Sequence, residues 1–213
     1  MDTRLSDLTL AQFRDAVASN RPTPGGGAVC ATCASFGLGL VVMALEITKK
    51  HRTEPAERAP IDAALARARP LLAQLGDAAD GDVRAFQRYM DALKRLRSEA
   101  TPEAERARTE ASVAAIESPL TIAGAAVHAL EVARDATGLS TVHLLSDVCA
   151  GAELLCAAAV GVLQTVEMNL RGLDDEAASA AYRARRDRLA RMARVEADAV
   201  RARADAHLAA HGT

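Results

Sequence analysis

Apolar residues recur every three or four positions along most of this chain, and no segment shows the strict alternation of a half-buried strand. Leu10, Phe13 and Val17 share one face behind a Thr9-Leu10-Ala11-Gln12 capping box, predicting a first amphipathic helix ending near Ser19. An uncharged run from Ala28 to Leu45 predicts a long second helix, buried on all sides and reaching about Lys50. Gly37 and Gly39 inside it are tolerated where another helix, or a symmetry mate, crosses closely. His51 to Glu57 is a polar connection containing Pro55. Pro60 opens a third helix carrying Ile61, Leu65 and Leu72, with a kink expected at Pro70. Gly76 and Gly81 mark a bend before a fourth helix with the face Val83, Phe86, Met90 and Leu93. Thr101-Pro102-Glu103 starts a long fifth helix, bent at Pro119 and ended by Gly138. Ser140 to Leu170 makes a sixth, mostly apolar helix, and Asp174 or Asp175 caps a last one reaching about Ala210. Arg183–Asp187, Arg194–Asp198 and Arg201–Asp205 have i,i+4 spacing on that last helix. The expected fold is all-α: a single domain over residues 1–213, a bundle of about seven helices with a long buried second helix.

Composition sharpens this picture. Half of the chain is apolar but only 2% is aromatic, so the core must be built from Ala, Leu and Val in closely packed helices. A net charge of −2 and the absence of Trp argue against a nucleic-acid partner. Ala28–Leu45 has spanning length, but Ala, Gly, Cys, Ser and Thr dominate it and no interfacial Trp or Tyr flanks it, so no membrane partner is expected. Cys30, Cys33, Cys149 and Cys156 sit in uninterrupted helical patterns, where small buried thiols fit better than a zinc or redox motif. With no signal-peptide pattern in Met1 to Asp7, the expected compartment is the cytoplasm, with reduced thiols.

Pro22-Thr23-Pro24-Gly25-Gly26-Gly27 stands directly before the long apolar helix. Two prolines stiffen the approach, and three glycines bare the backbone where unpaired N–H groups face outward at the positive end of the helix dipole. Polar groups in apolar helices are the other candidates, because burial makes them costly unless paired. Glu46 ends the buried run, where it can pair with Lys49 or Lys50. Asp82 opens the fourth helix, either as a first-turn acid on the dipole or as a working carboxylate. Ser146-Asp147 interrupts the sixth helix, as a polar pair joining helices or as part of a site. Glu167 and Asn169 lie near that helix's end, where Asn169 can simply face water. No HExxH, Ser/His/Asp or Walker pattern is present, and the triple glycine lacks both the G-x-G-x-x-G spacing and a preceding strand.

Read in order, Pro22-Thr23-Pro24-Gly25-Gly26-Gly27, Asp82-x-x-Ala85-Phe86, Ser118-Pro119-Leu120, Ser146-Asp147, Asn169-Leu170 and Gly172-Leu173-Asp174-Asp175 run over nearly the whole chain. This sequence resembles the formiminotetrahydrofolate cyclodeaminase and methenyltetrahydrofolate cyclohydrolase family. The resemblance implies a homodimer holding a folate in a cleft near the subunit interface. The tetrahydrofolate derivative is its substrate, with no metal or redox cofactor. It implies Asp82 as base or proton shuttle and Asp147, supported by Ser146, as a second carboxylate. Substrate binding falls to Thr23, Pro24, Gly25, Gly26, Gly27, Glu46 and Asn169, with Lys49 and Lys50 meeting the folate glutamate tail. Standalone length leans toward hydrolysis of 5,10-methenyltetrahydrofolate to 10-formyltetrahydrofolate. The alternatives are cyclodeaminase, a diverged enzyme acting on another C–N substrate, and a helical dimer kept for interaction. The chain departs from the family pattern at three amides: it has Glu46-Ile47-Thr48 for Asn-Leu-Thr, Gly138-Leu139 for Gly-Asn, and Thr165-Val166 for Asn-Val. A site built on amide hydrogen bonds does not lose them cheaply, so these changes bear on substrate choice.

Overall fold

The computed structural model describes residues 4–211. They form seven α-helices and two 3-10 turns, at Leu5–Asp7 and Val142–Leu144, with no strand among the described residues. The helices are α1 (Leu10–Val17), α2 (Gly26–Lys50), α3 (Pro55–Glu99), α4 (Pro102–Leu139), α5 (Leu145–Val162), α6 (Gln164–Leu170) and α7 (Glu176–His211). The number of α-helices matches expectation, but the partition differs. The expected third and fourth helices are one element: α3 runs unbroken through Pro60, Pro70, Gly76 and Gly81. Both prolines are exposed, while Ile61, Ala64, Leu65, Ala68, Leu75 and Ala79 keep one continuous buried stripe. A missing N–H on the water side costs less than interrupting that stripe. The expected sixth helix instead breaks after Val162, where Thr165 Oγ1 donates to the Val162 carbonyl at 2.8 Å and competes with the helical ladder.

α2 is the central element, packed mainly between α3 and α5, while α4 packs against α3, α5 and α7. α5 runs antiparallel to α2. Gly37 faces Gly151, Gly161 faces Cys30, and Thr141 N–H donates to Thr48 Oγ1 at 3.3 Å. The crossing is backbone on backbone: a Cβ on Gly37 would lie 2.7 Å from the Gly151 carbonyl oxygen, and one on Gly151 2.5 Å from that of Gly37. Gly39, by contrast, has open space around it. Small residues thus allow the close helix approach that the aromatic-poor composition requires.

Capping follows the sequence. Thr9 and Gln12 form the capping box of α1, Thr101 accepts from Ala104 N–H ahead of α4, and Asp175 accepts from Ala178 N–H at the start of α7. Asp174 turns instead to Arg108. The arginines of α7 do not form the expected i,i+4 pairs; four of them reach other helices. Arg185 grips both oxygens of Glu117, Arg183 and Arg186 share Glu167, and Arg201 meets Glu153. From α4, Arg134 grips Glu196 of α7 at 2.7 Å and 2.9 Å. α1 buries no residue. The chain before it is pinned to α3 where Leu5 N–H donates to Asp80 at 2.8 Å and Arg4 pairs with Asp77 and Asp80.

Three stretches, Gly26–Lys50, Pro102–Leu139 and Val142–Leu170, are long and apolar enough to cross a membrane by length and composition. In the structure, 44 to 56% of their most apolar windows is buried inside the bundle.

Candidate active site

A cleft of about 260 Å³ opens where the start of α2 meets the middle of α3, the kinked end of α5–α6 and one turn of α4. Its first wall is Pro22, Thr23, Gly25, Gly26 and Gly27. The Thr23–Pro24 peptide is cis, and Pro24 is buried behind the lining. The three glycines have three different settings. Gly25 is the N-cap, with an extended backbone and no side-chain cap. A Cβ on Gly26 would meet nothing, so its absence leaves the cleft floor clear. A Cβ on Gly27 would overlap the Asp82 carboxylate, so only glycine lets that acid rest on the α2 backbone.

The second wall is one stripe of α3: Asp82, Ala85, Phe86 and Tyr89, spaced at three, one and three. Because α3 is continuous, Asp82 does not open a helix, as the sequence suggested. It sits mid-helix and meets the N-terminus of a different one. The Ala28 N–H donates to its carboxylate, and Ser118 Oγ of α4 lies 3.3 Å from Oδ1 as a second donor. Burial pushes the Asp82 carboxyl above the ordinary carboxylate range, against these two donors, which pull it down. Beneath the first turn, burial also raises the Cys30 thiol, with Cys33 and Asp82 adding to the effect. That leaves it a packing group rather than a nucleophile.

The third wall is α6: Thr165, Met168 and Asn169, again on one helical face, with Ala115 of α4 beside them. Asn169 Nδ2 donates to the Ala115 carbonyl at 2.7 Å. Tyr89 closes the far end, its hydroxyl close enough to Gly172 that a Cβ there would lie 2.9 Å from it. The connection bearing Gly172 is held by Arg108, which donates to the Gly172 carbonyl at 2.7 Å and to Asp174 at 2.8 Å.

Of the residues singled out in the sequence, the cleft gathers Thr23, Gly25, Gly26, Gly27, Asp82 and Asn169. Ser146, Asp147, Glu46, Lys49 and Lys50 are not among its lining. With α5 antiparallel to α2, Asp147 lies alongside α2 at least fourteen residues beyond Gly27, about 20 Å along the axis at 1.5 Å per residue. Glu46 pairs with Arg69 at 2.7 Å rather than with Lys49 or Lys50, and Lys49 pairs with Asp62. Of the three positions where an amide is replaced, only Thr165 reaches the cleft. Phe86, Tyr89, Thr165 and Met168 were not among the predicted site residues. The signal for them was the helical spacing from Asp82 and from Asn169; the apolar pattern had placed Phe86 alone of these, on a face with Val83, Met90 and Leu93.

Residues 9–188 match the family model described as formiminotransferase-cyclodeaminase. The chain is 31% identical over 185 residues to formimidoyltransferase-cyclodeaminase of Gallus gallus; the match covers 82% of this chain and 33% of that protein. It therefore spans about a third of that relative's length. It is 29% identical over 173 residues to methenyltetrahydrofolate cyclohydrolase of Methylorubrum extorquens, covering 79% of this chain and 82% of that one. The crystal structure of formiminotetrahydrofolate cyclodeaminase from Thermotoga maritima superposes with a TM-score of 0.79 at 21% identity, over 97% of this chain and 98% of that one.

Proposed function

The chain belongs to the formiminotransferase-cyclodeaminase family, and from that premise we propose that it hydrolyses 5,10-methenyltetrahydrofolate to 10-formyltetrahydrofolate. The observation that carries this reading is Asp82, a half-buried carboxyl raised by desolvation and held by Ser118 and the Ala28 N–H at the bare start of α2. Hydrolysis of the cationic methenyl group begins when water adds to its carbon and gives up one proton. It ends when the bond from that carbon to N5 breaks, N5 takes a proton, and the remaining hydroxyl loses its own to become the formyl oxygen. One water is consumed and one proton released. Asp82 takes the first proton as base and returns it to N5 as acid, a cycle that suits a carboxyl with a raised pKa. The unpaired N–H groups of Gly26 and Gly27 offer donors to the developing oxygen. Phe86 and Tyr89 supply a wall for a flat, cationic heterocycle. A volume of about 260 Å³ is at the small end for ligand sites and suits the bicyclic head rather than the whole folate. Hydration of an already cationic carbon calls for no metal or redox cofactor.

A second reading is cyclodeaminase, in which the formimino group closes onto the neighbouring nitrogen and expels ammonia. Length does not count against it, since the Thermotoga cyclodeaminase is matched over 98% of its chain. The test is turnover of methenyl- and formiminotetrahydrofolate side by side. Loss of the methenyl chromophore supports hydrolysis, and ammonia release from the formimino substrate supports the second reading. Tight binding without turnover points to a diverged substrate, and no binding to an interaction dimer.

We further propose that residues 1–213 act as one domain, in a cytoplasmic homodimer. Exposed Phe36 and Met43 on α2 and Leu154 on α5 give an apolar stripe for a second copy. An antiparallel partner on that stripe would bring Ser146, Asp147, Glu46, Lys49 and Lys50 of one chain toward the cleft of the other.

A further inference from the structure

Pro119 lies inside α4 and has no N–H. In an unbroken helix that N–H would bond to the carbonyl four residues back, which is Ala115. The Ala115 carbonyl is the one that Asn169 Nδ2 reaches at 2.7 Å. The reverse orientation of the Asn169 amide would set oxygen against oxygen, so the bond fixes which end faces the cleft. The free end is Oδ1, which can only accept. One turn earlier on α6, Thr165 uses its single hydroxyl hydrogen on the Val162 carbonyl at 2.8 Å, so toward the cleft it also only accepts. Among the described residues, nothing donates to Asn169 Oδ1 or to Thr165 Oγ1. The neighbouring residue, Ser118, donates to Asp82 on the opposite wall. The dipeptide Ser118-Pro119 therefore sets the polarity of both sides.

We propose that Asn169 and Thr165 form an acceptor-only wall that holds a hydrogen-donating group against the reacting carbon, and that Pro119 is a positioning residue acting through Asn169. On the hydrolytic reading, from which the nucleophile's identity is taken, that group is the attacking water. It gives one hydrogen to Asp82 and holds the other on Asn169 Oδ1, which leaves its lone pair aimed at the carbon. In the cyclodeaminase reaction the same wall takes the N–H of the formimino group. Both share one chemistry, a small N–H or O–H donor, and the two substrates separate them. Thr165, standing where the family pattern has an amide, removes the one donor that wall could have offered. It is thus a specificity-determining position, selecting against acceptor groups at the reacting end.

The test uses the full chain with Pro119→Ala and Thr165→Val. It reads kcat and KM on both folates, and the hydrogen-exchange protection of the Asn169 side-chain amide by NMR. Pro119→Ala returns an N–H to Ala115; Asn169 should lose its amide protection and kcat should fall about tenfold, with KM moving less than twofold. Its thermal unfolding should not worsen, because a proline leaves a helix interior. Thr165→Val should lower kcat about threefold on the substrate that is turned over. An Asn169 amide still protected in Pro119→Ala, or a kcat unchanged in either variant, overturns the assignment. If the unsubstituted protein turns over neither folate, the folate reading falls. The amide protection in Pro119→Ala then still decides whether Pro119 orients Asn169.

Discussion

On the proposed reading Asp82 concentrates the chemistry, and its burial carries a cost in stability. Asp82→Asn should lower turnover by about 10²- to 10⁴-fold, the usual contribution of a positioned acid–base group, in a protein that still folds. The pH dependence has a definite sign. Folding raises the Asp82 pKa through burial, so in the window between the ordinary and the raised value the folded state binds more protons than the unfolded one. This group's contribution to stability is therefore fully present below the ordinary carboxylate pKa and falls as pH rises through the raised one. At pH 7 the ionised carboxylate is a burden that an amide does not impose. Asp82→Asn should then melt at a higher temperature than the unsubstituted protein at pH 7, with the gap closing as pH is lowered through the carboxylate range. Turnover should show the complementary limb, falling on the acid side above the ordinary carboxylate value. Full activity in Asp82→Asn, or an acid limb that survives in it, would remove Asp82 from the mechanism.

At the scale of elements, the two glycines of α2 should part company. Gly37→Ala places a methyl against the Gly151 carbonyl and should cost about 1–3 kcal/mol in denaturant unfolding. Gly39→Ala meets open space and should stabilise the single chain by about 0.5–1 kcal/mol through helix propensity. A destabilising Gly39→Ala would instead place another chain against that position. The sequence had grouped Gly37 and Gly39 as one close approach, because periodicity gives the face of a helix but not the partner that covers it. The same limit explains α3. Val83, Phe86, Met90 and Leu93 were legible as one face, and so were the glycines near the cleft. That Phe86 turns toward a ligand wall, with Asp82 four residues before it, depends on α2 arriving end-on at that point. The capping residues Thr9, Thr101 and Asp175 were readable because their partners lie within three residues. The contacts of Asn169 with Ala115 and of Arg108 with Gly172 span more than fifty residues, and no local pattern announces them.

At the scale of the whole molecule, the polar residues suggested by sequence divide between two ends of α2, and the proposed homodimer is what would reunite them. The protein should run as a dimer in light scattering and stay in solution without detergent. Composite sites make a sharper demand. Asp82→Asn and Asp147→Asn should each be inactive alone, yet random remixing of the two unfolded chains should restore about a quarter of the activity. Half of the dimers would then be mixed, each with one intact site of two. No recovery, from dimers shown to have exchanged, would confine each site to one chain and leave Asp147 a structural residue.

The scarcity of aromatic residues has one last practical meaning. The chain has no Trp and two Tyr, one lining the cleft and the other, Tyr182, beside Glu117 and Arg185 on the α4–α7 seam. Such a protein is nearly silent in the near ultraviolet. A heterocycle of the proposed kind would be followed by its own absorption over almost no background, and Tyr89→Phe leaves Tyr182, outside the cleft lining, as the single tyrosine. The emission lost with Tyr89 would then be a direct optical gauge of occupancy, built into the cleft without any label.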